Sequence, residues 1–372
     1  KNKFDPVDDQ LAARMHKAIA IMQFKLEGQL IKEHPEFDLD KRLLLDKIDF
    51  ENGTVNVEGT VYPLNDTFFP TIDPNNPYEL TEDERAVMNS LSASIINSER
   101  LQTHIRYMFS HGALYKRING NLLFHGCIPM DENGDFLPVD IYGAKCAGRA
   151  LMEHLDKQIR ASYFSPEKIK KYGKPGDLMW YLWLAKDSPL FGKEKMTTFE
   201  RLFIDDKASH KEHVRPYYKL INSKEPCEKI LREFGLDPSH SKILNGHVPV
   251  KIKNGESPIK GGGLLYVIDG GISKAYQKQT GIAGYTFIFN SRFMALAEHK
   301  PYEPLREDGT QKFFSPSMKT VDTLKTRMLV IDTDEGAELL RQAEAVKRLV
   351  EAYKTGEIKE RPEGKYSAYK GK

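Results

Sequence analysis

The chain has 372 residues, 40% hydrophobic and 29% charged, with a formal net charge of +2 at pH 7. That balance fits a soluble globular protein with room for two domains, or one domain carrying an insertion, and offers no electrostatic footprint for nucleic acid or an anionic membrane. No apolar run approaches the ~20 residues of a bilayer span, and the opening KNKFDPVDDQ lacks the apolar stretch of a signal peptide.

Three cysteines (Cys127, Cys146, Cys227) are too few and too scattered for a disulfide scaffold. They suggest a reducing compartment, with the cytoplasm as the expected location. The chain opens on Lys1 and enters a helical pattern almost at once, which suggests a processed chain or a fragment.

In chain order, Leu11, Met15, Ile19, Met22, Leu26 and Leu30 recur at helical spacing behind Asp8 or Asp9 as N-cap. TVNVEGTVYPL (residues 54–64) alternates like a hairpin turning near Glu58-Gly59, and the three prolines of residues 68–80 demand an irregular loop. Thr81 and Glu84 form a capping-box pattern ahead of one long helix carrying Met88, Leu91, Ile95, Ile96, Leu101, Ile105 and Met108. From Asn121 short apolar runs bounded by glycine alternate with helical stretches. Strands are expected at 122–124, 242–244, 264–268, 282–290 and 292–298, and helices at 143–163 and 224–234. After Pro301 come a polar link, a strand at 327–331, a charged helix from 333–335 to about Tyr353, and a disordered tail. The expected organisation is a largely helical region 1–120, a mixed β core 121–300 and a C-terminal segment 301–372. The fold class is α+β.

Two turns carry the chemistry. NLLFHGCIP (residues 121–129) and SKILNGHVPVK (residues 241–251) each end a strand-like run at a histidine touching glycine. Glycine permits a sharp bend beside the imidazole, and a strand end fixes the ring's angle, as metal coordination requires. His125 and His247 are therefore the candidate metal ligands, and a metal-assisted hydrolase is the leading reading. Asp269, in GGGLLYVIDGGIS, either orients a ligand histidine or simply closes a turn.

Other signals weigh less. His210 and His213 share H-x-x-H spacing but sit in a charged, solvated stretch. Cys127 lies two residues after His125, yet no paired cysteines accompany it, so a buried thiol beside the loop is the simpler role. The Gly261-Gly262-Gly263 triplet precedes its strand, unlike a nucleotide-binding turn. GDLMWYLWLAKDSPLFGK (residues 176–193) reads as an apolar core helix followed by a loop. Lys186 and Lys193 on that loop, with Lys251 and Lys274, are candidates to meet an anionic substrate.

With NGNLLFHGCIPMDENGDF, GDLMWYLWLAKDSPLFGK, NGHVPVKIKNGESPIKGGGLLYVIDGGISKAYQKQTGIAGYTFIFNSR and LAEHKPY in view, the chain resembles the class III, firmicute-type fructose-1,6-bisphosphatases of the calcineurin-like metallophosphatase superfamily. The resemblance covers essentially the entire chain. It implies a β-sandwich flanked by helices and a two-metal site, with His125 matching the superfamily's fourth ligand block and His247 its last.

The superfamily's D-x-H, G-D-x-x-D-R and G-N-H blocks are missing. The expectation is therefore a C-terminal portion with an incomplete sandwich, little activity of its own, and catalytic groups lying before Lys1. For the intact enzyme the resemblance implies divalent cations, manganese for this family, acting on fructose 1,6-bisphosphate in gluconeogenesis. Metabolite effectors and a homo-oligomer are further partners that the family admits. The alternatives are another metallophosphoesterase, such as a phosphoprotein phosphatase, and a non-catalytic binding or regulatory module.

Overall fold

Helix α1 (Asp9–Glu33) starts where the Asp8 carboxylate accepts the Leu11 amide at 2.9 Å, and it ends with Lys32 against the negative pole of the helix. Its second half is buried. The computed structural model describes residues 8–170, 173–271, 280–282, 284–300 and 316–359. A small antiparallel sheet follows, β1 (Ile48–Asp49), β2 (Thr54–Val57) and β3 (Thr60–Pro63). Val55 and Val57 face a core made with Ala20, Ile21, Phe24 and the aromatic residues of α6 (Thr198–Phe203).

The capping box at Thr81 forms as expected and opens α2 (Glu82–Ile96). The single long helix does not. The chain breaks at Asn97-Ser98, where Ser98 takes extended backbone, and restarts as α3 (Glu99–His111). Nor does the apolar stripe reach a core, since Val87, Leu91, Ile95, Ile96, Leu101 and Met108 are all exposed.

The main sheet runs β4 (Tyr115–Ile118), β5 (Asn121–Phe124), β8 (Ile243–Asn245), β10 (Leu265–Val267), β9 (Ile259–Lys260). β5, β8 and β10 are mutually parallel, while β4 and β9 pair antiparallel at the two edges. Helices α4 (Gly148–Phe164), α5 (Asp177–Leu184), α7 (Tyr217–Leu220) and α8 (Lys224–Glu233) supply the residues packed against it, among them Leu151, Leu155, Leu178, Leu182, Tyr217 and Ile230. A second antiparallel sheet, β11 (Gly284–Phe289), β12 (Phe293–His299) and β13 (Ser317–Thr323), joins the same core through Tyr285 and Leu296. The Tyr285 amide donates to the Ile268 carbonyl at 3.1 Å, linking the sheets.

Three further expectations are corrected. The helix expected at 143–163 begins only at Gly148. Ahead of it lies a hairpin of β6 (Val139–Ile141) and β7 (Ala144–Cys146), turned by Tyr142 and Gly143 at φ +55° and +79°. The strand expected at 327–331 is absent. The strand forms earlier, at β13, and Leu329, Val330 and Ile331 lie exposed beside a short 3-10 turn before α9 (Asp334–Lys354). Trp183, expected in the core, is 45% exposed, whereas Leu178, Tyr181, Leu182 and Leu184 of the same helix are buried. The architecture is mixed α+β. Among the described residues no helix is long and apolar enough to cross a membrane.

Candidate metal centre

Parallel register brings the candidate residues together. Phe124 of β5 stands opposite Asn245 of β8, and Asn245 opposite Val267 of β10. His125, His247 and Asp269 each follow those residues by one or two positions, so all three leave the sheet at the same carboxyl edge. That edge is where parallel sheets in α/β folds place their ligand sites. The buried Asn245 amide staples two of the strand ends, donating from Nδ2 to the carbonyls of Phe124 (3.3 Å) and Gly126 (3.0 Å).

The imidazoles of His125 and His247, 122 residues apart in sequence, meet with Nε2 of the first 3.2 Å from Nδ1 of the second, ring planes 81° apart. His247 sits at φ +80°, a left-handed conformation that costs a non-glycine residue about 1–2 kcal/mol. Its Nε2 lies 3.1 Å from the Phe191 carbonyl. A carbonyl only accepts, so the proton resides on Nε2 and the neutral ring presents the Nδ1 lone pair to His125. Burial, and then the neighbouring His125, hold the His247 pKa below its usual value, which favours this neutral form.

These features fit a cation. Two nitrogen donors each about 2 Å from one ion can stand 3.2 Å apart, and neutral imidazole is a ligand for divalent transition metals. His125 is exposed to a cavity of about 660 Å³ whose wall includes His111, Tyr115, Lys116, Gly246, Asp269 and Tyr285.

The remaining candidates are placed as follows. The Asp269 carboxylate accepts the Gly271 amide at 2.8 Å, closing its own turn, and lines the cavity beside His125. The Phe191 carbonyl holds the His247 ring. Lys186 is ion-paired with Asp38, and Lys193 with Glu212 at 2.7 Å, so both ammonium groups already have carboxylate partners. Lys251 is exposed four residues after His247, and its backbone amide donates to Glu256 at 3.0 Å. Lys274 lies outside the described residues. Cys127 is fully buried, and burial pushes its thiol up to about 12, in keeping with a packing role. His210 packs its ring between the Glu200 and Ile204 carbonyls, 3.1 and 2.8 Å away, a structural placement.

One cluster escaped the sequence reading. His34, buried at the end of α1, has Nδ1 2.8 Å from Glu36 and Nε2 2.8 Å from the buried Asp177, with Glu33 alongside. Lys174 occupies the same carboxylates, donating its amide to Asp177 at 2.8 Å and its ammonium to Glu33 at 3.1 Å. The carboxylates are matched by a lysine and an imidazole between two acids, so the cluster reads as an ion network around a buried His34–Asp177 pair. His34 follows the last turn of a helix, a position where sequence offers no hint of a distant Asp177.

The core is mixed α+β, with paired imidazoles at the carboxyl edge of parallel strands. Residues 1–355 match the family model of the Firmicute fructose-1,6-bisphosphatases, and the chain belongs to that family. It is 51% identical over 360 residues to the class 3 fructose-1,6-bisphosphatase of Clostridium tetani, covering 96% of this chain and 54% of the relative. It is 52% identical over 353 residues to that of Clostridium acetobutylicum, covering 94% and 53%. The chain thus spans about half the length of the curated relatives it matches. The narrower expectation of a C-terminal portion is not borne out by these matches, in which the family model takes in residues 1–355. No solved structure matches the chain.

Proposed function

We propose that this chain serves the hydrolysis of fructose 1,6-bisphosphate to fructose 6-phosphate and phosphate, with His125 and His247 as ligands for a divalent metal, manganese in the family's manner. The observation that carries the reading is the 3.2 Å approach of two donor nitrogens at the edge of three parallel strands, in a chain of this family. When bound, the metal would supply Lewis-acid polarisation of the phosphoryl oxygens.

The protein groups have separate tasks. Phe191 keeps the proton on Nε2 of His247, so that Nδ1 is free to coordinate. His125 presents its ring to a cavity whose volume, about 660 Å³, lies within the range of small-molecule sites. Lys116 on the cavity wall, Lys251 beyond His247 and Lys274 are proposed as cationic contacts for the two phosphates, acting as point charges. Asp269 supports the edge from its turn. A cytoplasmic location, a calcineurin-like arrangement of the sheets, metabolite effectors and self-association belong to the same proposal.

The test is phosphate release from fructose 1,6-bisphosphate with added Mn2+, in a protein of the relatives' full length containing this sequence. A His125→Ala, His247→Ala double variant should lose metal and turnover together. Preference for a phosphopeptide over the sugar bisphosphate would replace this reading with a phosphoprotein phosphatase.

A further inference from the structure

One turn touches both histidine loops. Residues 185–192 leave α5 and return under the sheet edge. The Pro189 carbonyl accepts the Cys127 amide at 2.7 Å, two residues after His125. It lies so close to Gly126, itself at φ +84°, that a Cβ there would sit 2.1 Å from the carbonyl oxygen. Two residues on, the Phe191 carbonyl accepts the hydrogen bond from His247 Nε2–H. The same turn therefore fixes where the His125 loop runs and which nitrogen of His247 carries its proton.

Ser188 sets that turn. Its side chain is fully buried, and its hydroxyl donates to the Leu182 carbonyl at 2.6 Å while accepting the Leu190 amide at 3.1 Å. Its carbonyl accepts the amides of Phe191 and Gly192, at 3.2 and 3.3 Å. From outside, Arg215 bridges the flanks, bonding Asp187 at 2.9 Å and Glu194, while its amide donates to the Gly192 carbonyl at 3.0 Å. Carbonyl acceptors that orient a ligand imidazole through its second nitrogen fix the tautomer and raise metal affinity.

The geometry points to Ser188 as a positioning residue of the proposed metal centre: through the Phe191 carbonyl it commits His247 to the tautomer whose Nδ1 faces His125. This rests on the metal-site reading above, yet its first readout needs no metal.

The 372-residue protein, labelled with ¹⁵N-histidine, is examined by NMR in metal-free buffer at alkaline pH, where neutral imidazoles report their tautomer by nitrogen shift. The expected result is a His247 signal locked as the Nε2–H form in the parent and averaged between tautomers in Ser188→Ala. Titration with Mn2+ alone, in a protein of the relatives' full length carrying the same change, should then give a dissociation constant raised about 10-fold or more, as loss of a ligand's outer partner typically does. If Ser188→Ala does not fold, Arg215→Gln loosens the same turn from a half-buried position and carries the same readout. A folded variant of either kind with an unchanged Nε2–H signal overturns the proposal. A parent of the relatives' full length that shows the locked tautomer but binds no Mn2+ instead sinks the metal-site reading and leaves the tautomer result standing.

Discussion

His247 donates a hydrogen bond from Nε2 to the carbonyl of Phe191, 56 residues earlier in the chain, at 3.1 Å. The bond ties a strand end to a helix-terminal turn, and it holds His247 at φ +80°, where a side chain is strained.

That strain predicts an ordering of variants. His247→Gly relieves the left-handed backbone, whereas His247→Ala keeps it. The glycine variant should be the more stable by about 0.5–1 kcal/mol after the extra entropy of glycine in the unfolded chain is offset. Urea unfolding of the metal-free proteins measures the difference, and equal midpoints would remove the claim of strain.

Asn245→Leu should destabilise the fold by about 1–3 kcal/mol, because the carbonyls of Phe124 and Gly126 lose their buried donor. Asn245→Asp should cost at least as much, since it sets a carboxylate against two carbonyl oxygens. Chemical denaturation distinguishes this from a surface effect, for which both changes would stay within about 0.5 kcal/mol.

His34 makes stability depend on pH. Burial opposes its charge, but the hydrogen bonds to Glu36 and Asp177 prevail, and its pKa is raised above 6.5. Lys174 and Glu33 complete the charges around it. A raised pKa means the folded state binds the proton more tightly. Its contribution is therefore whole below the unfolded value of about 6.5 and is lost as pH rises through the folded value. Thermal melts from pH 6 upward should fall more steeply in the parent than in His34→Gln. Parallel profiles would show that the imidazole does not carry the proton.

Thiol labelling checks the packing beneath the site. Cys127 and Cys227 are buried, and burial pushes both up to about 12, while Cys146 is half-buried. Iodoacetamide at neutral pH should modify Cys146 first and reach the other two only after unfolding, because the thiolate is the reactive form. Early labelling of Cys127, read by peptide mass, would mean that the 185–192 turn opens readily.

Much of the site was legible because its signal is local. An apolar run stopping at His-Gly or Gly-His marks a strand end, and β5, β8 and β10 appear within a residue or two of the expected runs. What escaped is carried by backbone and by distance. The Phe191 carbonyl has no letter of its own, and Ser188 looks like any turn serine. The carboxylates that pair with Lys186 and Lys193, Asp38 and Glu212, lie far off in sequence or in a stretch read as solvated. The misplaced last strand has a physical cause too. Leu329, Val330 and Ile331 form the apolar run, yet the polar Ser317–Thr323 pairs with β12 at the sheet's edge, where backbone bonds matter more than burial.

Because side chains alternate across a pleated strand, the level alignment of Phe124, Asn245 and Val267 makes this centre intolerant of frame-preserving indels. One codon added within β8 would swing His247 away from His125, although hydrophobicity and length would hardly change.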